Sequence, residues 1–307
     1  MIFKKVTIID NCGLTNPILE KLKSFSTESI SIFNDLPKTD EEIIKRISDS
    51  DCVLVSWQTK INAEILKAST SLKFIGMCCS LYDEKSANVD IEEARKLGIE
   101  VKGVKDYGDE GVVEFIFAQL IYLLKGLGEN KWRNEPTELK NKSIGIIGLG
   151  TLGQMVAKTA IHFGMQVFYF SRTRKYEMET ENINYLPLDN LLETCDIITT
   201  HLPKKTILLT EMEFKIKKAN SILINTSLGL TFEKDAFLNW LSKDKTSFAI
   251  FDADGTGDSG NEFWQLDNVI VSEQFAGFTV EAKQRLSEKV LNNLTSFLIA
   301  NKTNYNK

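Results

Sequence analysis

Ser143-Ile144-Gly145-Ile146-Ile147-Gly148-Leu149-Gly150-Thr151-Leu152-Gly153 is the stretch that decides the fold. Its apolar start reads as a short strand buried on both faces, and Gly148, Gly150 and Gly153 follow at GxGxxG spacing. Leu152, Met155, Val156, Thr159, Ala160 and Phe163 then recur at helical spacing and give one apolar face. A glycine-rich turn alone is weak evidence. Between a buried strand and an amphipathic helix it predicts a dinucleotide site: Gly148 for the tight turn, Gly150 for close approach of a pyrophosphate, Gly153 for helix-on-strand packing. Thr151 and Leu152 open the helix, whose free N–H groups face the anion. The alternative is a structural α/β turn with no ligand.

Outward from this turn the chain alternates short β-like runs with helical stretches. Before it come VTIID (Val6), SISIF (Ser29), CVLVSW (Cys52), LKFIGM (Leu72) and IEVKGV (Ile99); after it come QVFYF (Gln166) and the stretches Asp196–Thr200, Ser221–Asn225, Ser247–Asp252 and Val269–Val271. Such alternation predicts βαβ units around parallel sheets, an α/β fold. Asp109 to Gly126 is a long helix, apolar nearly all round, which must be covered by protein: as a spine and dimer contact, or simply as core. The last helix is expected over Val280–Ala300, with the polar tail 301–307 frayed.

At 307 residues the chain is long enough for two domains. A net charge of -5 argues against nucleic acid or an anionic membrane as partner, and no apolar run approaches a membrane span. Five cysteines without CxxC spacing fit reduced thiols, hence a cytoplasmic protein; the adjacent Cys78 and Cys79 read as buried strand residues before a redox pair. With two histidines, neither near a second ligand, no metal site is expected. His162 is expected to pack near the end of its helix.

Over nearly its full length the sequence resembles the D-isomer-specific 2-hydroxyacid dehydrogenases. The resemblance rests on EARKLGIEV from Glu93, GVVEF from Gly111, KSIGIIGLGTLGQMVA from Lys142, DIITTHLP from Asp196, ILINTSLG from Ile222 and LDNVIVSEQFAGFT from Leu266. It implies two doubly wound parallel-sheet domains: a flavodoxin-like substrate domain and, inserted in it, a Rossmann NAD(P)-binding domain, with a cleft between them and a homodimer. The implied division is 1–105 plus 281–307 for the substrate domain and 106–280 for the Rossmann domain. The implied partner is a small-molecule substrate.

An NAD site wants a carboxylate about 20 residues past the glycines, for the ribose 2'-OH. Here Ser171 stands in that place, followed by Arg172, Thr173, Arg174 and Lys175. A cation there suits a 2'-phosphate, and the run is similar to that of the NADP(H)-using glyoxylate and hydroxypyruvate reductases of the family. NADP(H) is therefore preferred, NAD(H) is possible, and a solvated basic turn is the alternative. The resemblance also places His201, Pro203, Thr226 and Asp252 around the cofactor.

For hydride transfer the family uses an Arg on the substrate carboxylate, a His as proton donor and a Glu that keeps the His charged. At the matching positions this chain has Leu228, Gln274 and, with a loop about two residues shorter, Gly257. The family's glycine-rich substrate loop is matched by SLYDEKSA, with Asp83 and Glu84. The expectation is an oxidoreductase acting on an atypical substrate, with Glu273, or Tyr82 or Tyr107, as replacement acid, or else an inactive NADP(H)-binding pseudoenzyme. Glu273 turned inward supports the first; Phe275 or Trp264 plugging the site supports the second.

Overall fold

In the computed structural model, which describes residues 2–204 and 206–304, the apolar runs pair into two all-parallel sheets flanked by helices. The chain divides into two units: one takes the residues up to Tyr107 together with those from Thr279 on, and the other takes Gly108–Phe278.

The first unit has five strands, β1 (Val6–Ile8), β2 (Ser31–Ile32), β3 (Cys52–Val55), β4 (Phe74–Ser80) and β5 (Glu100–Val104). Their order is β2-β1-β3-β4-β5, the flavodoxin-like order. β1 and β3 are wholly buried, which is why they read as continuous apolar runs rather than as alternation. Cys78 and Cys79 lie buried on β4, and the five cysteines, all buried, form no disulfide among the described residues. The helix Val280–Asn304 covers this sheet with Leu286, Val290, Leu294 and Phe297, at i+4 and i+3 spacing, and Phe297 stacks on Phe3 at 5.5 Å. This corrects one expectation: residues 301–304 are helical, where fraying was expected. Residues 305–307, the rest of that tail, lie outside the described residues.

The second unit has seven strands: β6 (Ser143–Ile147), β7 (Gln166–Phe170), β8 (Ile183–Tyr185), β9 (Ile197–Thr200), β10 (Ile222–Asn225), β11 (Phe248–Phe251) and β12 (Val269–Val271). Their order, β12-β11-β10-β9-β6-β7-β8, is doubly wound: the chain runs outward from β6 to β8, returns to β9 on the other side of β6, and continues to β12. Ligands bind such sheets at the carboxyl ends of the strands where the direction reverses, here between β6 and β9. The helix Asp109–Lys125 buries Val112, Val113, Ile116, Phe117, Leu120, Leu123 and Leu124, and leaves Tyr122 more than half exposed. His162 is exposed at the end of the helix Thr151–His162, which corrects the expectation that it packs there.

On the opposite face of this sheet Phe232, Phe237, Phe251 and Phe263 interlock around a fully buried Phe237, with ring centroids 4.6–5.7 Å from it. Truncating Phe237 removes a large apolar surface and leaves a cavity, at a cost of ~3–5 kcal/mol. Phe237→Ala should therefore lower the unfolding midpoint of the Gly108–Phe278 unit in guanidinium. A midpoint equal to wild type would show that this cluster does not hold the unit together.

Candidate active site at the carboxyl ends of the second sheet

Two close contacts and one open space give the three glycines after β6 their roles. Gly148 sits at φ +101, where side chains are disfavoured, and a Cβ there would lie 2.2 Å from the His201 carbonyl. A Cβ on Gly153 would lie 2.1 Å from the Gly148 carbonyl, so the helix can approach the turn only without one. Gly150, the N-cap of that helix, faces open space, with nothing within 4 Å of where a Cβ would stand. No side chain caps the helix and no acidic residue lies in its first turn. The backbone N–H groups of this first turn have no intrahelical acceptor, and with the positive end of the helix and the open space beside Gly150 they form an arrangement that fits a pyrophosphate. Thr151 is exposed and Leu152 half-buried against the core beneath.

The end of β7 is held to this turn by the Gly148 N–H donating to the Phe170 carbonyl at 2.8 Å. Ser171 follows and folds back, its hydroxyl donating to the Thr173 carbonyl at 2.7 Å. The basic residues here separate into two kinds. Arg174 forms a two-pronged pair with Glu179, both contacts at 2.7 Å, and lies over the Tyr176 and Tyr185 rings. Arg172 is exposed and makes no ion pair among the described residues. Only Arg172 therefore combines nearness to Ser171 with an uncommitted guanidinium.

Asn225, fully buried at the end of β10, ties the next three loops together. Its Oδ1 accepts from the Thr200 hydroxyl at 2.8 Å and from the Ser227 N–H at 3.2 Å, and its Nδ2 donates to the carbonyls of Gly255 (2.7 Å) and Gly229 (3.0 Å). Ser227 extends the tie to the loop after β9: its hydroxyl donates to the Thr200 carbonyl and accepts from the Leu202 N–H, both at 3.1 Å. Pro203 is exposed beyond that point. His201 lies against the glycine turn through its N–H to the Ile147 carbonyl at 2.8 Å. Its Nε2 meets the Thr199 hydroxyl at 3.1 Å, while the buried Nδ1 and the buried Thr226 hydroxyl find no partner.

Asp252, buried at the end of β11, gives one oxygen to the Gly255 N–H (2.9 Å) and the other to the Ala276 N–H (3.1 Å). Burial raises its pKa. It is thus a brace between the loops after β11 and β12, which the Ala253 N–H also joins by donating to the Gln274 carbonyl at 3.2 Å. Asp254 was not anticipated from the sequence. Its main chain is pinned, the carbonyl accepting from the N–H groups of Gly229 (3.0 Å) and Gly257 (3.1 Å). Burial and the charge of Asp252 push its carboxyl up to about 6, against a weaker pull from Lys204.

Leu228, Gln274 and Glu273 are all exposed on these loops, and Phe275 and Trp264 remain 42% and 51% exposed. Within this unit Glu273 is not turned inward, and neither aromatic ring is sunk into the body of the unit. Tyr82 and Tyr107 belong to the other unit, as do Asp83, which caps a turn at the Ser86 N–H (2.9 Å), and Glu84, paired with Arg95.

The description "D-isomer specific 2-hydroxyacid dehydrogenase, NAD binding domain" matches residues 117–276, just over half of the chain. The chain belongs to this family. It is an oxidoreductase family, and the match covers the glycine turn and the loops after β7, β9, β10, β11 and β12. The chain is 31% identical over 277 residues to a glyoxylate reductase of Thermococcus litoralis, covering 83% of this chain and 82% of that protein. It is 30% identical to a hydroxypyruvate reductase of Blautia hydrogenotrophica, covering 84% and 85%. Among solved structures it is similar to an acyclic imino acid reductase in complex with NADPH and D-Arg, at 26% identity and a TM-score of 0.82, covering 96% and 97% of the two chains. The TT0316 protein of Thermus thermophilus, at 24% identity and a TM-score of 0.83, shares the fold.

Burial lowers the His201 pKa from its ordinary 6.5 to about 4. The unfolded chain therefore takes up a proton in the window from 6.5 to 4 that the folded protein refuses, and stability falls as pH falls through it, by up to ~3 kcal/mol. Asp254 acts in the opposite sense, because its folded pKa is raised, so His201 is read from the difference between wild type and His201→Gln. Between pH 7 and pH 4.5 wild type should lose more unfolding free energy than the variant. Equal losses would contradict a buried neutral imidazole.

Proposed function

We propose that this protein is an NADP(H)-preferring reductase that delivers hydride to a small molecule outside the ordinary 2-oxo acids of its family. The observation that carries the reading is a complete cofactor turn beside a hydride-transfer site in which Leu228, Gly257 and Gln274 stand where the family has Arg, Glu and His. In this reading residues 1–105 with 281–307 form the substrate domain and 106–280 the cofactor domain. Gly148, Gly150, Thr151, Leu152 and Gly153 hold the pyrophosphate. Ser171, Arg172 and Thr173 hold the 2'-phosphate, and His201, Pro203, Thr226 and Asp252 border the nicotinamide half. NADPH, when bound, supplies the hydride. The imino acid reductase with NADPH supports a phosphate-bearing cofactor and brings a nitrogen-bearing ligand into a relative of the same fold.

Loss of a general acid typically costs ~10² to 10⁴ in rate and loss of one electrostatic stabiliser ~10² to 10³. Non-additivity still leaves reduction of plain 2-oxo acids down by roughly 10⁴ or more. A second reading, a cofactor-binding protein without turnover, draws support from the same three positions and from the exposure of Glu273. The five buried cysteines, held as thiols, favour a reducing compartment such as the cytoplasm. The outer face of the helix Asp109–Lys125, with its exposed Tyr122, is the face for a homodimer.

Cofactor fluorescence and an oxidation panel test the reading together. NADPH should bind more tightly than NADH, and Arg172→Ala should weaken NADPH ~10- to 100-fold with little effect on NADH, the size expected for one charge-assisted contact. Glyoxylate, pyruvate and hydroxypyruvate should turn over far below the usual ~1 to 10³ s⁻¹, while another carbonyl or imine compound is reduced at a rate within that range. Robust glyoxylate turnover would refute the atypical-substrate reading. NADPH binding with no turnover across the panel would favour the second reading.

A further inference from the structure

Near the amino end of β10, the helices Glu211–Ile216 and Lys234–Lys243 border a cavity of about 270 Å³. At ~30 Å³ per water that is room for about nine waters, or for one small organic molecule. Phe214 and Trp240, stacked at 5.4 Å, give it an apolar wall. Lys217 lines the same cavity and is only 6% exposed, its ammonium 4.6 Å from the centre of the Trp240 ring. It donates to the Ser221 hydroxyl, which in turn donates to the Lys218 carbonyl at 2.5 Å and so brings no charge. Among the described residues Lys217 makes no ion pair. The two carboxylates that line the cavity are committed elsewhere. Glu211 pairs with Lys215 at 2.9 Å, and Asp244 accepts from the N–H groups of Asn220 (2.8 Å) and Thr246 (3.0 Å) and from the hydroxyls of Thr246 and Ser247 (both 2.6 Å). Trp240, 7% exposed, has a buried indole N–H that finds no acceptor. A buried charge is costly without a counter-charge, and a buried donor without an acceptor. The Trp240 ring offsets only part of that cost. Burial accordingly lowers the Lys217 pKa to about 7.

We propose that this cavity is a second ligand site, which takes a small organic carboxylate with an aromatic or branched apolar body. The carboxylate accepts from the Lys217 ammonium and the Trp240 indole N–H, and the body lies against Phe214 and Trp240. The two unmet groups are both donors, which calls for a ligand that accepts. One buried cation balances one negative charge, so a monoanion fits where a phosphate dianion would leave a charge unpaired. The apolar wall calls for a hydrocarbon body, which inorganic anions lack. Lys243, exposed at the rim and without an ion pair among the described residues, adds to the attraction for an anion. Ser221, which holds Lys217, precedes β10, and Asn225 ends it, so ~13 Å of strand separates this site from the cofactor crest. The site therefore stands apart from the cofactor's and does not depend on the reductase reading.

The test uses the full chain saturated with NADPH, so that the cofactor site is filled, with benzoate, benzamide and acetate as probes. Calorimetry measures their binding and a crystal structure with benzoate locates it. Benzoate should bind in this cavity. Benzamide, its neutral analogue, and acetate, which lacks the apolar body, should bind at least ~10-fold more weakly. Lys217→Met replaces a buried charge by an apolar chain and should weaken benzoate ~10- to 100-fold, the size of one charge-assisted contact. Trp240→Phe keeps an aromatic wall but removes the N–H, and should weaken benzoate roughly 3- to 10-fold. Affinity for NADPH should be unchanged in both variants. Benzamide binding as tightly as benzoate would overturn the anionic class, and acetate doing so would overturn the apolar body. Undiminished benzoate binding in Lys217→Met, or in Trp240→Phe where Lys217→Met does not fold, would overturn the role of these donors. No heat of binding with benzoate, or benzoate bound only outside this cavity, would overturn the site.

Discussion

The carboxamide of Asn225 is the contact on which the site depends. One fully buried side chain accepts from Thr200 and Ser227 and donates to Gly229 and Gly255, so the loops after β9, β10 and β11 share a single anchor. In a buried, low-dielectric setting such bonds are strong and an unmatched one is costly, so the four partners fix one another. Asp252 adds the loop after β12 through Ala276. These two polar residues let four parallel strands present a rigid crest to one side of the sheet.

The glycine turn joins that crest by close approach rather than by side chains. Gly148 meets the His201 carbonyl and Gly153 meets the Gly148 carbonyl at distances no Cβ permits, which draws the helix, the turn and the loop after β9 together. The cofactor half and the reacting half are therefore parts of one backbone arrangement. In the proposed reading, this lets the cofactor turn persist where Leu228 and Gln274 replace the family's catalytic side chains. Leu228, Gln274 and Glu273 lie exposed on loops whose shape is set by buried backbone bonds elsewhere, and changing them leaves the scaffold intact.

The order of the strands and the cofactor turn were legible because buried parallel strands leave unbroken apolar runs and glycine spacing is forced by contact geometry. β8 was not foreseen, because only Ile183 of its Ile-Asn-Tyr is buried and it leaves no apolar run. The helix was expected to end before residue 301; the Asn301 side chain, donating to the Phe297 carbonyl at 2.9 Å, accompanies its continuation. Arg172 and Arg174 are indistinguishable in sequence, and only the Glu179 pairing shows that one is structural. Asp254 was missed because its shift arises only through burial and the charge of Asp252. Asn225 and Ser227 sit inside the quoted ILINTSLG motif, yet their roles depend on which loops fold over them.

The most direct test of an intact cofactor site serving altered chemistry is a crystal structure of the NADPH complex. The account predicts the pyrophosphate on the Gly150 turn, the 2'-phosphate on Arg172, and the nicotinamide ring beside Asp252. A 2'-phosphate directed away from Arg172, or a nicotinamide remote from Asp252, would contradict it.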